Sequence, residues 1–419
     1  MPKRILIIDA GPGVAQALAK AGELGYRAEV VSVEDHEMPS AVDGFARDVK
    51  ALKKVAGEDR IDGILQPFNW RSVLTAGVTH HLKLPGMDPM PTATARWRPG
   101  VLSLMEKKGL PAVPARLAKT PEGAEQAARK LGLPVWVASD DCYSSAAVVQ
   151  VDQIEDVSLA YSRVTRQSEL KTAVVMPVTK GPTFYVDGVM IDAVFHPCGL
   201  IGVDMGDPPF RFERGLVIPP AECNSWYGAI VNAAVQALRM LDTQDLLMHG
   251  KAAPMWRAQE LHDCGFGFRD GCVHVELVLT ESGPAVMGVY GCPAAMRFPI
   301  DIVQLSSGID TLANALRFAV GDPLQMEPTM KRGVALCWIP TRSGIVTEIR
   351  GVEEAHNVPG VQEIVIVAKP GDVMGHVVDC ESRDRVGYVV ATGENGEAAV
   401  TAAQRAKALC EIVTKPAYS

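Results

Sequence analysis

No run of apolar residues in this 419-residue chain approaches the roughly 18 needed to span a bilayer. The start, Met1-Pro2-Lys3-Arg4, leads into a short strand rather than into the longer hydrophobic stretch of a secretory leader. The nine cysteines include no CxxC pair, which argues against a disulfide framework and suits a reducing compartment. Basic residues are not in excess: 41 Lys and Arg against 49 Asp and Glu leave a net charge of −8, without the footprint of a nucleic-acid binder. These absences point to a soluble, cytoplasmic protein that binds neither nucleic acid nor membrane. A chain of this length can bury a large core, and three lobes are expected.

What is present begins with strand-helix alternation. Residues 4–9, RILIID, form an apolar run followed by Gly11-Pro12-Gly13 and a helical pattern through Leu24. Strands at 28–32 and 61–66, with helices within 43–56 and 70–82, complete a parallel, doubly wound lobe. Gly11-x-Gly13 has the form of a pyrophosphate cradle, but Gln16 stands where the third glycine belongs, and a structural turn is the favoured reading. His80-His81 falls on a helix of this lobe and reads as surface.

Residues 272–297, CVHVELVLTESGPAVMGVYGCPAAMR, alternate as two strands, 272–280 and 284–290, around Glu281-Ser282-Gly283. A hairpin with one buried face follows. Alternation puts Cys272, His274 and Glu276 on one face. His262-x-Cys264 and Cys272-x-His274 together offer two imidazoles and two thiols, in a spacing unlike the standard zinc patterns, so ordinary strand positions are favoured.

This hairpin resembles the second half of an ATP-grasp domain, in the subgroup of L-amino-acid ligases and other carboxylate-amine ligases. His274-Val275-Glu276 matches that family's first metal-binding strand. The resemblance extends along the chain: LGLPVWVAS (131–139) is similar to the family's LPVVVKP, GPTFYVDG (181–188) to GPEYSVDG, and SRDRVGYVVATG (382–393) to SRDRLGYVIATG. Ser307-Gly308-Ile309-Asp310 and Gly321-Asp322-Pro323-Leu324 look like the helix and turn beyond the active-site strands. The implied architecture is an α/β ATP-grasp fold: a Rossmann-like lobe over 1–91, an ATP-grasp region over 92–325 and a β-rich L-amino-acid-ligase-like lobe over 326–419. The central region would hold a small lobe over about 119–180 and an insertion over about 241–264, apolar at Met248, Met255 and Trp256. Asp187-Gly188 is expected to make the hairpin turn into 189–195, and a closing amphipathic helix is expected over 396–412.

Departures from the family pattern concentrate at one place. The strand that usually ends in Glu-x-Asn-x-Arg and glycines carries Gly288, Tyr290, Cys292, Ala294, Ala295 and Met296. Ala138 stands for a phosphate-binding lysine, and Arg98 for another. Val175 and Met176 replace the acids of the adenine hinge, and Thr183 replaces a glutamate. The loop 140–146, which closes over phosphates in the family, contains no glycine and starts with Asp140 and Asp141, which would repel a triphosphate unless a metal intervened.

The candidate site residues are therefore Glu276 for a metal, Arg98, Asp140 and Asp141 for a cofactor, and Tyr290, Cys292 and Arg297 for catalysis. ATP and magnesium are the cofactors that the resemblance implies, and the departures predict that both bind weakly or not at all. Three functions fit. One is a pseudo-ligase in small-molecule biosynthesis that binds an amino-acid-derived ligand or a partner protein, such as an active ligase. Another is a repurposed enzyme whose phenol and thiol do ATP-independent chemistry. The third is an amide-forming ligase whose missing groups come from Arg98, Arg297 or the insertion. The resemblance also implies a homodimer.

Overall fold

The computed structural model describes residues 2–8, 13–31, 60–66, 72–139, 148–166, 171–241, 268–292, 301–378, 382 and 386–417. The first lobe comprises β1 (Arg4–Ile8), α1 (Val14–Glu23), β2 (Arg27–Val31), β3 (Gly63–Leu65) and α2 (Ser72–Leu82). Its sheet is parallel in the order β2-β1-β3, as the alternation predicts. β1 is apolar without alternation because both faces are covered, and Ile5, Leu6, Ile7 and Ile8 are fully buried. Ala17 and Ala21, one helical turn apart, give α1 the small-residue stripe that lies on this sheet. His80 and His81 are exposed, as expected. Gly11 and the helix expected within 43–56 lie outside the described residues.

Two proline-started helices, α3 (Pro89–Arg96) and α4 (Arg98–Lys107), lead into the small lobe. That lobe holds β4 (Arg116–Ala118), α5 (Pro121–Leu131), β5 (Val135–Ser139), β6 (Val148–Val151), α6 (Val157–Arg166) and β7 (Ala173–Pro177). The sheet order is β4-β7-β5-β6, with α5 and α6 packed on one face through Ala124, Ala128, Val157 and Val164. Thr120 caps α5 by accepting a hydrogen bond from the Gly123 amide, with Pro121 at the first helical position.

The remaining elements are β8 (Thr183–Ile191), β9 (Val194–Met205), β10 (Glu213–Ile218), α7 (Cys223–Met240), β11 (Gly271–Thr280), β12 (Gly283–Tyr290), α8 (Ile302–Ser307) and α9 (Thr311–Ala319). They continue as β13 (Gly333–Trp338), β14 (Gly344–Arg350), α10 (Val352–His356), β15 (Val361–Ile366), β16 (Val373–Met374), β17 (Gly387–Gly393), α11 (Gly396–Leu409) and β18 (Glu411–Lys415). An eight-stranded antiparallel sheet, β12-β11-β8-β9-β10-β13-β17-β15, runs without a break from the site hairpin into the C-terminal region. A smaller sheet, β16-β14-β18, flanks it.

Three local expectations need correction. The β11–β12 hairpin is not buried on one face only: β11 lies between β8 and β12 and is buried from Gly271 to Val278. Asp187-Gly188 is not a turn. It sits within β8 at a register shift, and the turn is Asp192-Ala193, both in the left-handed region at φ 49° and 63°. The last helix stops at Leu409, because the chain then forms β18 against β14.

Candidate functional site

β11 carries the site. Its alternation places His274 and Glu276 on one face, and the register extends each into a row across three strands. His274 lies between Asp187 of β8 and Tyr290 of β12; Glu276 lies between Tyr185 of β8 and Gly288 of β12. Tyr290 thus starts in the first row, and its ring reaches over the second. A Cβ at Gly288 would meet the Tyr290 hydroxyl at 2.8 Å and its ring at 3.0 Å, so the phenol occupies the space that a side chain at 288 would need.

Glu276 is 7 % exposed and is gripped from three sides. One Oε2 accepts the Tyr290 hydroxyl at 3.1 Å and faces an Arg98 nitrogen at 3.5 Å. The other oxygen accepts from Arg211 at 3.1 Å. Arg98 also donates to the Tyr290 oxygen at 2.5 Å, so the phenol accepts from a guanidinium and donates to a carboxylate. Arg211 reaches the Thr183 hydroxyl at 3.3 Å and the Met287 sulfur at 3.6 Å as well. Both guanidinium side chains are nearly buried, at 12 and 11 % exposure.

Behind this cluster lies a polar aromatic layer. His274 is fully buried, stacked on Tyr290 with ring centroids 4.3 Å apart, and meets Tyr185 edge-on at 5.6 Å. Its Nδ1 lies 3.0 Å from the Cys292 carbonyl, which can only accept, so Nδ1 carries the proton. The Tyr185 hydroxyl donates to buried Glu213 at 2.8 Å. Cys292 is itself buried and lines a cavity together with Cys272. Burial pushes the Cys272 thiol up to about 12, with the Asp187 carboxylate and Cys292 adding to the shift, so Cys272 is a neutral thiol at ordinary pH.

The structure therefore brings together Arg98, Glu276 and Tyr290, with Cys292 one layer behind. Asp140, Asp141, Arg297, His262 and Cys264 lie outside the described residues, as does the expected insertion beyond Leu241. Among the described residues, no group of three or more His, Cys, Asp or Glu is placed to hold a metal ion. Three of the other altered positions are apolar and buried: Ala138 on β5, and Val175 and Met176 on β7, which face the two cores on either side of the small-lobe sheet. Sequence reasoning did not find Arg211, which is 65 residues from the carboxylate it binds. Its only sequence mark is the run Phe210-Arg211-Phe212-Glu213-Arg214, which leads into β10. Phe210 also joins the lobes, bridging to Val149 of β6 and lying under the Arg163 guanidinium of α6 at 4.7 Å.

Comparison with known proteins bears on the fold. A family model described as L-amino acid ligase C-terminal domain 2 matches residues 337–415. The chain is 24 % identical to an uncharacterized protein, y4rH, of Sinorhizobium fredii over 408 residues, covering 96 % of this chain and 76 % of that one. Its fold is similar to that of an L-amino acid ligase from Bacillus licheniformis, with a TM-score of 0.77, 18 % identity and 99 % of each chain covered. A phosphoribosylglycinamide synthetase from Anaerococcus prevotii is similar at a TM-score of 0.65 and 14 % identity, with 99 % of this chain and 100 % of that one covered.

Proposed function

We propose that this chain, which has the ATP-grasp fold and closes on an L-amino-acid-ligase C-terminal domain, uses the fold of a carboxylate-amine ligase without its ATP and magnesium chemistry. The best reading is a pseudo-ligase of small-molecule biosynthesis, which binds an amino-acid-derived ligand or a partner protein. The observation that carries it is the clamp on Glu276 by Arg98, Arg211 and Tyr290, with the phenol lying over Gly288. A second carboxylate at 288 and this position of Tyr290 exclude each other.

The described residues fit magnesium poorly. Magnesium needs near-octahedral oxygen ligands, commonly one or two free carboxylates. Here the single carboxylate is already neutralised, and two guanidiniums stand against it. Unit charges about 4 Å apart interact by about 4 kcal/mol at an effective dielectric constant of 20, so repulsion from two arginines outweighs attraction to one glutamate. The same balance favours an anion, such as the carboxylate of an amino-acid-derived ligand. Ala138 argues against phosphate binding, and the apolar pair Val175 and Met176 against adenine binding.

One observation favours the repurposed enzyme as a second reading. Tyr290 accepts from Arg98 and donates to Glu276, an arrangement in which a phenol can pass a proton. On that reading Tyr290→Phe abolishes turnover of the unknown substrate while the fold survives.

Thermal unfolding with and without millimolar ATP and magnesium tests the main reading. A ligand at about a hundred times its dissociation constant adds about 2.7 kcal/mol to stability, which a melting curve resolves. No shift is expected. A clear rise would return the ATP-dependent amide-forming ligase to first place.

A further inference from the structure

A second site lies between the first lobe and the far end of the hairpin. The C-terminal end of β3, the start of α2, the segment around Met87, α9 and the pair Cys272 and Cys292 surround an unsealed cavity of about 50 Å³. A water needs about 10–15 Å³ of such space, so the cavity would hold three or four heavy atoms. One wall is hydrocarbon, from Ile64, Ala76, Ala315 and Phe318.

The other wall is polar and incompletely bonded. The Thr75 hydroxyl and the Gln66 Oε1 are both buried and have no hydrogen-bond partner among the described residues, and Thr75 as a whole is 8 % exposed. The Gln66 amide cannot turn round to solve this. Its Nε2 donates to the Gly291 carbonyl at 3.3 Å, and flipping it would set two oxygens face to face. An unpaired buried polar atom costs about 1–3 kcal/mol, so two among the residues lining one cavity call for a partner, either water or a ligand group.

The chemistry of that ligand group can be narrowed. The described residues lining the cavity carry no charged side chain, so a carboxylate or an ammonium would be buried without a counter-ion. Gln66 Oε1 requires a donor, whereas the Thr75 hydroxyl can donate or accept. We propose that this cavity is a recognition pocket for a primary carboxamide at the end of a short hydrocarbon stem. The amide nitrogen donates to Gln66 Oε1, the amide oxygen accepts from Thr75, and the stem lies against Ala76 and Phe318. Cys292 connects the pocket to the cluster: the residue lines the cavity while its carbonyl holds His274 against Tyr290. The pocket stands whether or not nucleotide binds.

Saturation-transfer NMR with acetamide, acetate and methylammonium, each at millimolar concentration and without ATP, tests it. Acetamide should give the strongest transfer. Thr75→Val, which keeps the shape and removes the hydroxyl, should weaken that transfer at least about threefold, as expected for one lost hydrogen bond. Gln66→Met provides the same comparison if the first variant does not fold. Equal transfer from all three probes, an acetamide signal unchanged by the substitution, or no acetamide signal at all would overturn the pocket and leave a hydrated cavity. Since no probe involves nucleotide, such a failure leaves the pseudo-ligase reading standing.

Discussion

Glu276 was legible at the level of single residues because His-Val-Glu on an alternating strand is a local pattern. Its present partners were not, because Arg98 on α4, Arg211 just before β10 and Tyr290 on β12 come from three separated segments, and only the packing of α4 on β12 and the sheet order β12-β11-β8-β9-β10 bring them together. Gly288 looked like a lost ligand, and the structure adds that Tyr290 needs that loss. Gly288→Ala should therefore destabilise the protein by about 1–3 kcal/mol in urea unfolding, as overpacking generally does. Tyr290→Phe removes the nearest atom, so the double variant should cost less than the sum of the two single ones; strict additivity would mean that the ring does not depend on the glycine. Arg211→Met tests the charge balance. Losing one arm of a buried clamp should cost about 2–3 kcal/mol, less than a fully broken pair because Arg98 remains. It should also let magnesium raise the melting temperature, an effect expected to be absent from the unmodified protein. A variant as indifferent to magnesium as its parent would show that the arginines are not what excludes the ion.

Individual elements were read well where burial and periodicity agreed, as in β1, α1 and β14, and poorly where a local turn preference met a tertiary demand. Asp187-Gly188 has the composition of a type I′ turn, yet β8 runs straight through it. The glycine is needed for another reason: a Cβ there would lie 2.4 Å from the Phe195 ring and 2.5 Å from the His196 carbonyl of β9. The real turn uses Asp192 and Ala193, which composition alone does not suggest. Their strained backbone is held by hydrogen bonds from the Asp192 amide to Asp270 at 2.9 Å and from the Ala193 amide to the Arg269 carbonyl at 2.8 Å. Opposite effects are expected at the two positions. Gly188→Ala should cost about 1–3 kcal/mol, because backbone and ring must both move. Ala193→Gly should add about 0.5 kcal/mol, the left-handed penalty less the extra entropy of glycine in the unfolded chain. Denaturant midpoints moving in the same direction for both variants would contradict this account of the hairpin.

Over the whole molecule the parallel order of the first sheet was legible in the sequence, but the continuity of the large sheet was not, because pairing between β10 and β13 joins segments more than a hundred residues apart and leaves no local signal. The docking of the first lobe, one wall of the proposed carboxamide pocket, is likewise a tertiary fact. Asp322, in the turn after α9, accepts from Lys3 at 2.6 Å and from the Tyr26 hydroxyl at 2.5 Å. Lys3 also donates to the Val320 carbonyl at 2.8 Å, and Lys20 of α1 pairs with Asp310 at 3.0 Å. The hydrogen bond from Lys3, then that from Tyr26, holds the Asp322 carboxyl below its ordinary value of 3.8. Burial, then Asp322, pushes the Tyr26 phenol from 10.0 up to about 12. A depressed acid stabilises the fold above its unfolded pKa and loses that contribution as pH falls through the folded one. A raised phenol contributes below its unfolded pKa and is lost as pH climbs through the folded one. The contact should thus be at full strength between about pH 4 and pH 10 and fade on both sides. Lys3 and Asp322 remain partly exposed, so solvent screening limits the ion pair to about 1 kcal/mol or less. Asp322→Asn should lower the melting temperature by a similar few degrees across neutral pH, and the deficit should shrink in acid as the parent's own carboxylate is protonated. It should also speed proteolysis within the first lobe more than within the small lobe, whose packing does not involve the contact. A deficit that stays constant down to pH 2, or proteolysis accelerated equally in both lobes, would show that Asp322 supports α9 rather than the seating of the first lobe.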